Sequence, residues 1–309
     1  MSPTTGETNG VATVTDTPGS KDLLRLGVGI LGIGSSGPLI ALSVMPIPTL
    51  IFWRNLGGAL FTAPFALRNS LDRRGVKYSV AAGFVLALHF IGFFMAMRMT
   101  SVAAGTALVA LQPIFASIFI KATGGYIPTK AWLGMAISFI GVLLISGVDF
   151  SIDRRSFLGD LAAIISAALA ALYVMWGAKA QESLETSSYT SICYGMCAAT
   201  ALPIALLGGY EIISFVAREW WILLGLILGA QILGHSMFNS VLKRVSPAVV
   251  SLIVFFEVPV AALLAKIFNI GTQPSGLIIP GVLLILAGCT VVVLRTRPDK
   301  KVVEAMVNE

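Results

Sequence analysis

Ten apolar runs of about 18–23 residues follow one another between residues 23 and 294, and most of the charge falls in the connectors between them or in the two tails. Wound as a helix, a run of that length crosses roughly 30 Å of hydrocarbon. No water is available there to bond a free amide, so each run must satisfy its own backbone. The expected outcome is an all-α integral membrane protein with ten transmembrane helices. Charges, Pro/Gly clusters and polar stretches set the spans at 23–43, 47–67, 78–97, 102–121, 131–148, 157–178, 188–207, 219–241, 247–267 and 276–294. Composition agrees, since 12% charged residues is about half the roughly 25% of a soluble domain.

The net charge of +6 sits in short connectors, which reads as loop charge and not as a nucleic-acid surface. Cys193 and Cys197, four apart within one span, and Cys289 are expected to be small packing residues, with no disulfide framework and no zinc. Residues 1–21 are polar and turn-rich and are expected to be a disordered tail, with a second tail at 295–309. The first apolar run reads as a retained span, not a signal peptide.

Lysine and arginine set the orientation. With the N-terminus inside, Arg54, Arg98, Arg154, Arg155, Arg218 and Lys266 fall on the outer side or within a span, and the other fifteen of the 21 lie on the cytoplasmic side. Both tails are then cytoplasmic, and the inner (plasma) membrane is the expected location. The halves also resemble each other. A shift of 146 places His89 on His235, Arg98 on Arg244, Thr100 on Ser246, Pro113 on Pro259, Gly125 on Gly271 and Pro128 on Pro274. One inserted residue later, Gly134-x6-Gly141 matches Gly281-x6-Gly288. Each half, 22–148 and 157–294, holds five spans, and an odd number makes the second enter the membrane from the opposite side. Inverted repeats are a common plan of secondary transporters, with the substrate site near the midplane between the halves.

At "Pro48…Phe52-Trp53-Arg54", "Ala107…Leu111-Gln112-Pro113-Ile114-Phe115" and the Gly-x6-Gly closing each half, the chain resembles the EamA-type members of the drug/metabolite transporter superfamily, over roughly residues 22 to 295. In layout it is most similar to the bacterial YddG-type exporters of aromatic and other amino acids. The resemblance implies a non-enzymatic exporter of small metabolites without a cofactor, and it favours amino acids, aromatic or otherwise neutral, as cargo. One departure stands out. Many members place a Gly-Glu pair after the fourth and ninth spans, where this chain has Gly124-Gly125-Tyr126 and Ile270-Gly271-Thr272.

An ionisable group deep in a span costs roughly 2.5–3.5 kcal/mol on insertion scales and needs a partner, water or a job. Glu257 is the acidic residue deepest in a span, and Lys266, nine residues or ~13.5 Å along the axis, is too far to pair with it. It is a candidate contact for a substrate ammonium or for a proton. His89 and His235, the only histidines, each lie nine residues before a boundary arginine, near the midplane, and are expected at the pathway. Pro113 and Pro259 interrupt their helices at equivalent points and are candidate gating bends, with Gln112 facing the cavity. Tyr173 and Trp176, three apart in the sixth span, share a face that would wall it. Arg54 is expected to snorkel outward as an anchor, ahead of the alternative that it binds an anionic group.

The stretch "GVGILGIGSSGPLIALSVMPIP" at 27–48 contains Gly34-Ser35-Ser36-Gly37, the Gly-x-Ser-Gly pattern of intramembrane serine proteases. Catalysis at Ser36 would need a base and an oxyanion hole, and it leaves the repeat unexplained. Small residues that let helices approach, with Ser35 and Ser36 as hydrogen-bonding groups on a cavity, explain the stretch better. The expected function is secondary export by alternating access, proton-coupled or facilitative. A drug or nucleotide-type carrier of the same superfamily is the alternative, and the oligomeric state is left open.

Overall fold

The computed structural model describes residues 18–146, 153–270 and 276–295, and all regular structure among them is helical. Ten helical rods follow in order: α1 Ser20–Leu42, α2 Ile47–Ala66, α3 Arg73–Met99, α4 Val102–Ala122, α5 Thr129–Ser146, α6 Arg154–Ala180, α7 Thr186–Leu207, α8 Ala217–Val241, α9 Pro247–Ile267 and α10 Ile278–Arg295. Eight are long and apolar enough to cross a bilayer. The others are α2, diluted by Arg54 and Asn55, and α10, whose apolar stretch Ile278–Val292 is shorter. Residues 1–17 and 296–309 of the two tails, and Gly271 and Pro274 of the repeat alignment, lie outside the described residues, while Ser20 and Lys21, expected in the disordered tail, already belong to α1.

The largest departure from the expected span ends is at α3, which begins five residues early. Its charged first turn looks like loop, yet the Asp72 carboxylate accepts from the Gly75 amide at 2.9 Å and starts the helix there. Ser101 and Asp153 cap α4 and α6 in the same manner. At the far ends of α4 and α9 the chain stops in matching fashion, with a left-handed residue at Gly124 (φ 87°) and Asn269 (φ 54°). The next amide reaches back over the last turn in both, Gly125 to Ile120 at 2.9 Å and Ile270 to Ala265 at 2.8 Å.

Close contacts between helices are made where the sequence is small. A methyl group at Gly32 would sit 2.6 Å from the Gly229 carbonyl oxygen, so α1 and α8 cross nearly backbone to backbone. Gly134 of α5 faces Gly288 of α10, and Gly141 faces Gly281, so these two helices run antiparallel and the Gly-x6-Gly of each half locks into that of the other. Cys193 and Cys197 are free, fully buried thiols. Large apolar side chains such as Leu60, Phe61, Phe84, Leu133, Ile165 and Leu283 stand exposed around the bundle, a coat suited to lipid.

Four rods are interrupted. α1 breaks at Ser35, whose hydroxyl bonds back to the Gly32 carbonyl at 2.7 Å. α4 breaks at Ala110–Leu111, just before Gln112-Pro113. α8 is π-helical over Leu226–Ser236, and α9 narrows to a 3-10 turn at Val254–Phe256, just before Glu257-Val258-Pro259. The proline-linked breaks of α4 and α9 therefore fall at equivalent places. By contrast, α3 and α6 are unbroken for 27 residues each and pack along each other.

Polar clamps close both ends of the bundle. At one, the connector after α1 is held between two charged groups. The Glu219 carboxylate accepts from the Ser43 hydroxyl at 2.7 Å and the Val44 amide at 2.9 Å, and Arg98 donates to the Met45 carbonyl at 2.7 Å. At the other, Arg244 meets Asp22 at 2.7 Å and Lys243 meets Glu185 at 2.9 Å.

Candidate functional site

Between these clamps lies a small cavity of about 40 Å³, room for roughly three water molecules. Its wall draws on six rods: Ile33 and Ser36 of α1, His89, Phe90 and Phe93 of α3, Val109 and Gln112 of α4, Ala170, Tyr173 and Val174 of α6, His235, Phe238 and Asn239 of α8 with Leu242 just past its end, and Val250, Val254 and Glu257 of α9. By position within their halves these are the first, third and fourth helices of each. Four of these six rods, α1, α4, α8 and α9, are the interrupted ones.

Glu257 and Gln112 sit at the middle of α9 and α4, directly after the two breaks. The Gln112 amide donates to the Ser251 hydroxyl at 3.3 Å, tying the two broken helices together. Glu257 is buried, and its carboxyl makes no hydrogen bond or contact ion pair with a described residue. His89 is fixed by Ser166: the Ser166 hydroxyl donates to the His89 carbonyl at 3.0 Å, so both oxygens facing Nδ1, the Ser166 carbonyl at 3.0 Å and hydroxyl at 2.8 Å, must accept from it. That makes Nδ1 a donor and points Nε2 elsewhere. His235 packs edge-on against Phe90, 5.3 Å between ring centres, and against Tyr173 at 6.0 Å.

Tyr173 is fixed by Asn239, whose amide donates to its hydroxyl at 2.7 Å and also approaches the Tyr194 hydroxyl at 3.4 Å. Of the other residues singled out in the sequence, Ser36 reaches the wall. Ser35 instead bonds within its own helix, and Trp176 packs into the surrounding apolar core. Pro113 and Pro259 stand behind the wall, at the breaks they help cause.

Arg54 requires a correction. It does not snorkel: the side chain is 0% exposed and turns inward. Its Nε donates to Gln231 Oε1 at 2.7 Å and Nη1 to the Ser36 hydroxyl at 3.2 Å, while the guanidinium lies over the Phe90 ring at 4.3 Å. Gln231 in turn donates to Asn55 at 3.0 Å. Sequence reasoning also missed Gln231, Asn239, Tyr194 and Ser166. The available signal was the number of uncharged polar residues inside α6 to α8, each needing a partner in hydrocarbon.

A helical bundle sheathed in apolar side chains, clamped at both ends around a polar cavity, is the build of a membrane transporter. The sequence profile of the EamA-like transporter family matches residues 23–147 and again 157–294, and the chain belongs to that family. It is 25% identical over 292 residues to the uncharacterized transporter YxxF of Bacillus subtilis (strain 168), covering 89% of this chain and 90% of that one. It is 24% identical over 263 residues to the pseudopaline exporter CntI of Pseudomonas aeruginosa (strain UCBPP-PA14), covering 81% and 87%. A solved crystal structure aligns with a TM-score of 0.73 at 17% identity, over 91% of this chain and 99% of the other, and so shares the fold.

Proposed function

We propose that this protein exports small amphipathic metabolites, neutral amino acids foremost, by alternating access between two inverted five-helix halves. One observation carries the reading: the cavity wall is built from the first, third and fourth helices of both halves. The antiparallel lock of the two Gly-x6-Gly helices and the double match of the family profile support the same symmetry. In this reading the protein sits in the inner (plasma) membrane with both tails cytoplasmic. The small cavity and the closed clamps correspond to an occluded state, with Pro113 and Pro259 as the bends that open one end or the other. A relative named as an exporter supports the direction of transport.

Glu257 is the group we assign to the cargo ammonium or to a proton. Purified protein in liposomes, given labelled amino acids with and without a pH gradient, tests this. Saturable amino-acid flux is expected, and Glu257→Gln is expected to remove any dependence on the gradient. Flux that never saturates, or that accepts only nucleotides or amine drugs, contradicts the cargo assignment. A pH dependence untouched by Glu257→Gln contradicts the role of that residue.

A further inference from the structure

Arg54 is the least explained charge in the molecule. It is 0% exposed, lies about ten ångströms into its helix from the nearer end, and touches no carboxylate. Both groups that accept from it, the Gln231 amide oxygen and the Ser36 hydroxyl, are neutral. Its Nη2 is buried without any hydrogen-bond partner. A cation held this way in hydrocarbon is costly unless an anion arrives to complete it. The guanidinium also backs onto the cavity: Ser36 and Phe90, its immediate neighbours, are wall residues. Glu257 lies on the same cavity, within Coulombic reach but not in contact.

We propose that Arg54 is the anion site of the cavity, its free Nη2 taking the carboxylate of the cargo while the Ser36 hydroxyl orients the fork. Among the described residues no other arginine or lysine touches the wall, so the site offers one cation and one carboxyl. That pairing fits a zwitterion of no net charge. It does not fit a polyphosphate, which needs several cations, or a simple amine, which leaves Arg54 unpaired. Phe90 covers the guanidinium face and would move aside as the cavity widens. The proposal rests on the cavity being the transport site, and it adds the requirement that cargo carry a free carboxylate.

The test is a binding series on the full-length wild type in detergent or nanodiscs, read by thermal shift and calorimetry. The probes are L-phenylalanine, L-leucine and L-threonine, each beside its methyl ester and its decarboxylated amine. At least one amino acid is expected to bind at least about tenfold more tightly than its ester, the scale of a lost charge-assisted hydrogen bond. Arg54→Gln, which removes the charge, is expected to erase that preference by weakening the amino acid far more than its ester, and Arg54→Lys, which keeps the charge but not the fork, to reduce it. A merely structural arginine would weaken both alike. An ester that binds as well as its amino acid overturns the anion site and leaves the transport reading standing. A protein that binds no carboxylate-bearing probe overturns both.

Discussion

At the scale of single residues, the polar groups around the cavity form short, specific pairs, and each predicts its own loss. Removing the Tyr173 hydroxyl leaves the buried Asn239 amide short of an acceptor, which costs about 1–3 kcal/mol. Tyr173→Phe is therefore expected to lower the melting temperature in detergent, whereas Trp176→Phe, off the cavity wall, should change transport little. Outside the spans, Asp72 joins the α2–α3 connector to the α6–α7 connector. The Gly75 amide first, and then the Ser183 hydroxyl at 2.8 Å, hold its carboxyl below the usual carboxylate range. Because the folded value is the lower one, this joint contributes fully above the ordinary carboxylate range and is lost as the pH falls through the folded value. Protection of the Gly75 amide from exchange, relative to its intrinsic rate at each pH, should fall under acid in the wild type and be absent at all pH values in Asp72→Ala. Arg54 shows where sequence reasoning stops at this scale. Its depth in the span was legible, but the partner that turns it inward, Gln231, is 177 positions away.

At the scale of helices, the apolar period carried the spans, because hydrophobic thickness fixes their length whatever they pack against. The glycines of 27–37 were legible as thin helix for a similar reason: a backbone crossing needs the absence of Cβ on both sides. Gly32→Val should push α1 from Gly229 and cost about 1–3 kcal/mol, seen as a lowered melting temperature. Gly27→Val, with open space around it, should be tolerated. The π-helical stretch of α8 and the clamp at Glu219 were not legible. Both depend on which helices meet, and Glu219 looks in sequence like a charge at the very end of a span. Its carboxylate is 1% exposed and holds the connector after α1. Glu219→Ala is expected to free that connector, raising the labelling rate of a cysteine placed at Val44 and weakening the seal at that end. An unchanged rate would mean that Arg98 alone holds it.

For the whole molecule, the proposed inverted repeat gives the irregularities a common meaning. Under the 146-residue shift α3 corresponds to α8, and the first helix of each half, α1 and α6, to each other. In both pairs one member is straight and the other broken. Two halves of similar sequence that bend differently can exchange their bends, and this is how such folds open to one face and then the other. Native Cys193 and Cys197 are buried and suit a labelling background in which Cys289→Ser removes the third thiol. Spin labels at Val44 and Ser214 report on the end clamped by Glu219, and labels at Lys21 and Glu182 on the end clamped by Arg244. Both distances are to be measured in liposomes before and after a saturating amino-acid gradient is imposed. The expected result is reciprocal: as one distance lengthens the other stays short. Two ends that open together, or flux with neither distance changing, would contradict alternating access around the shared cavity.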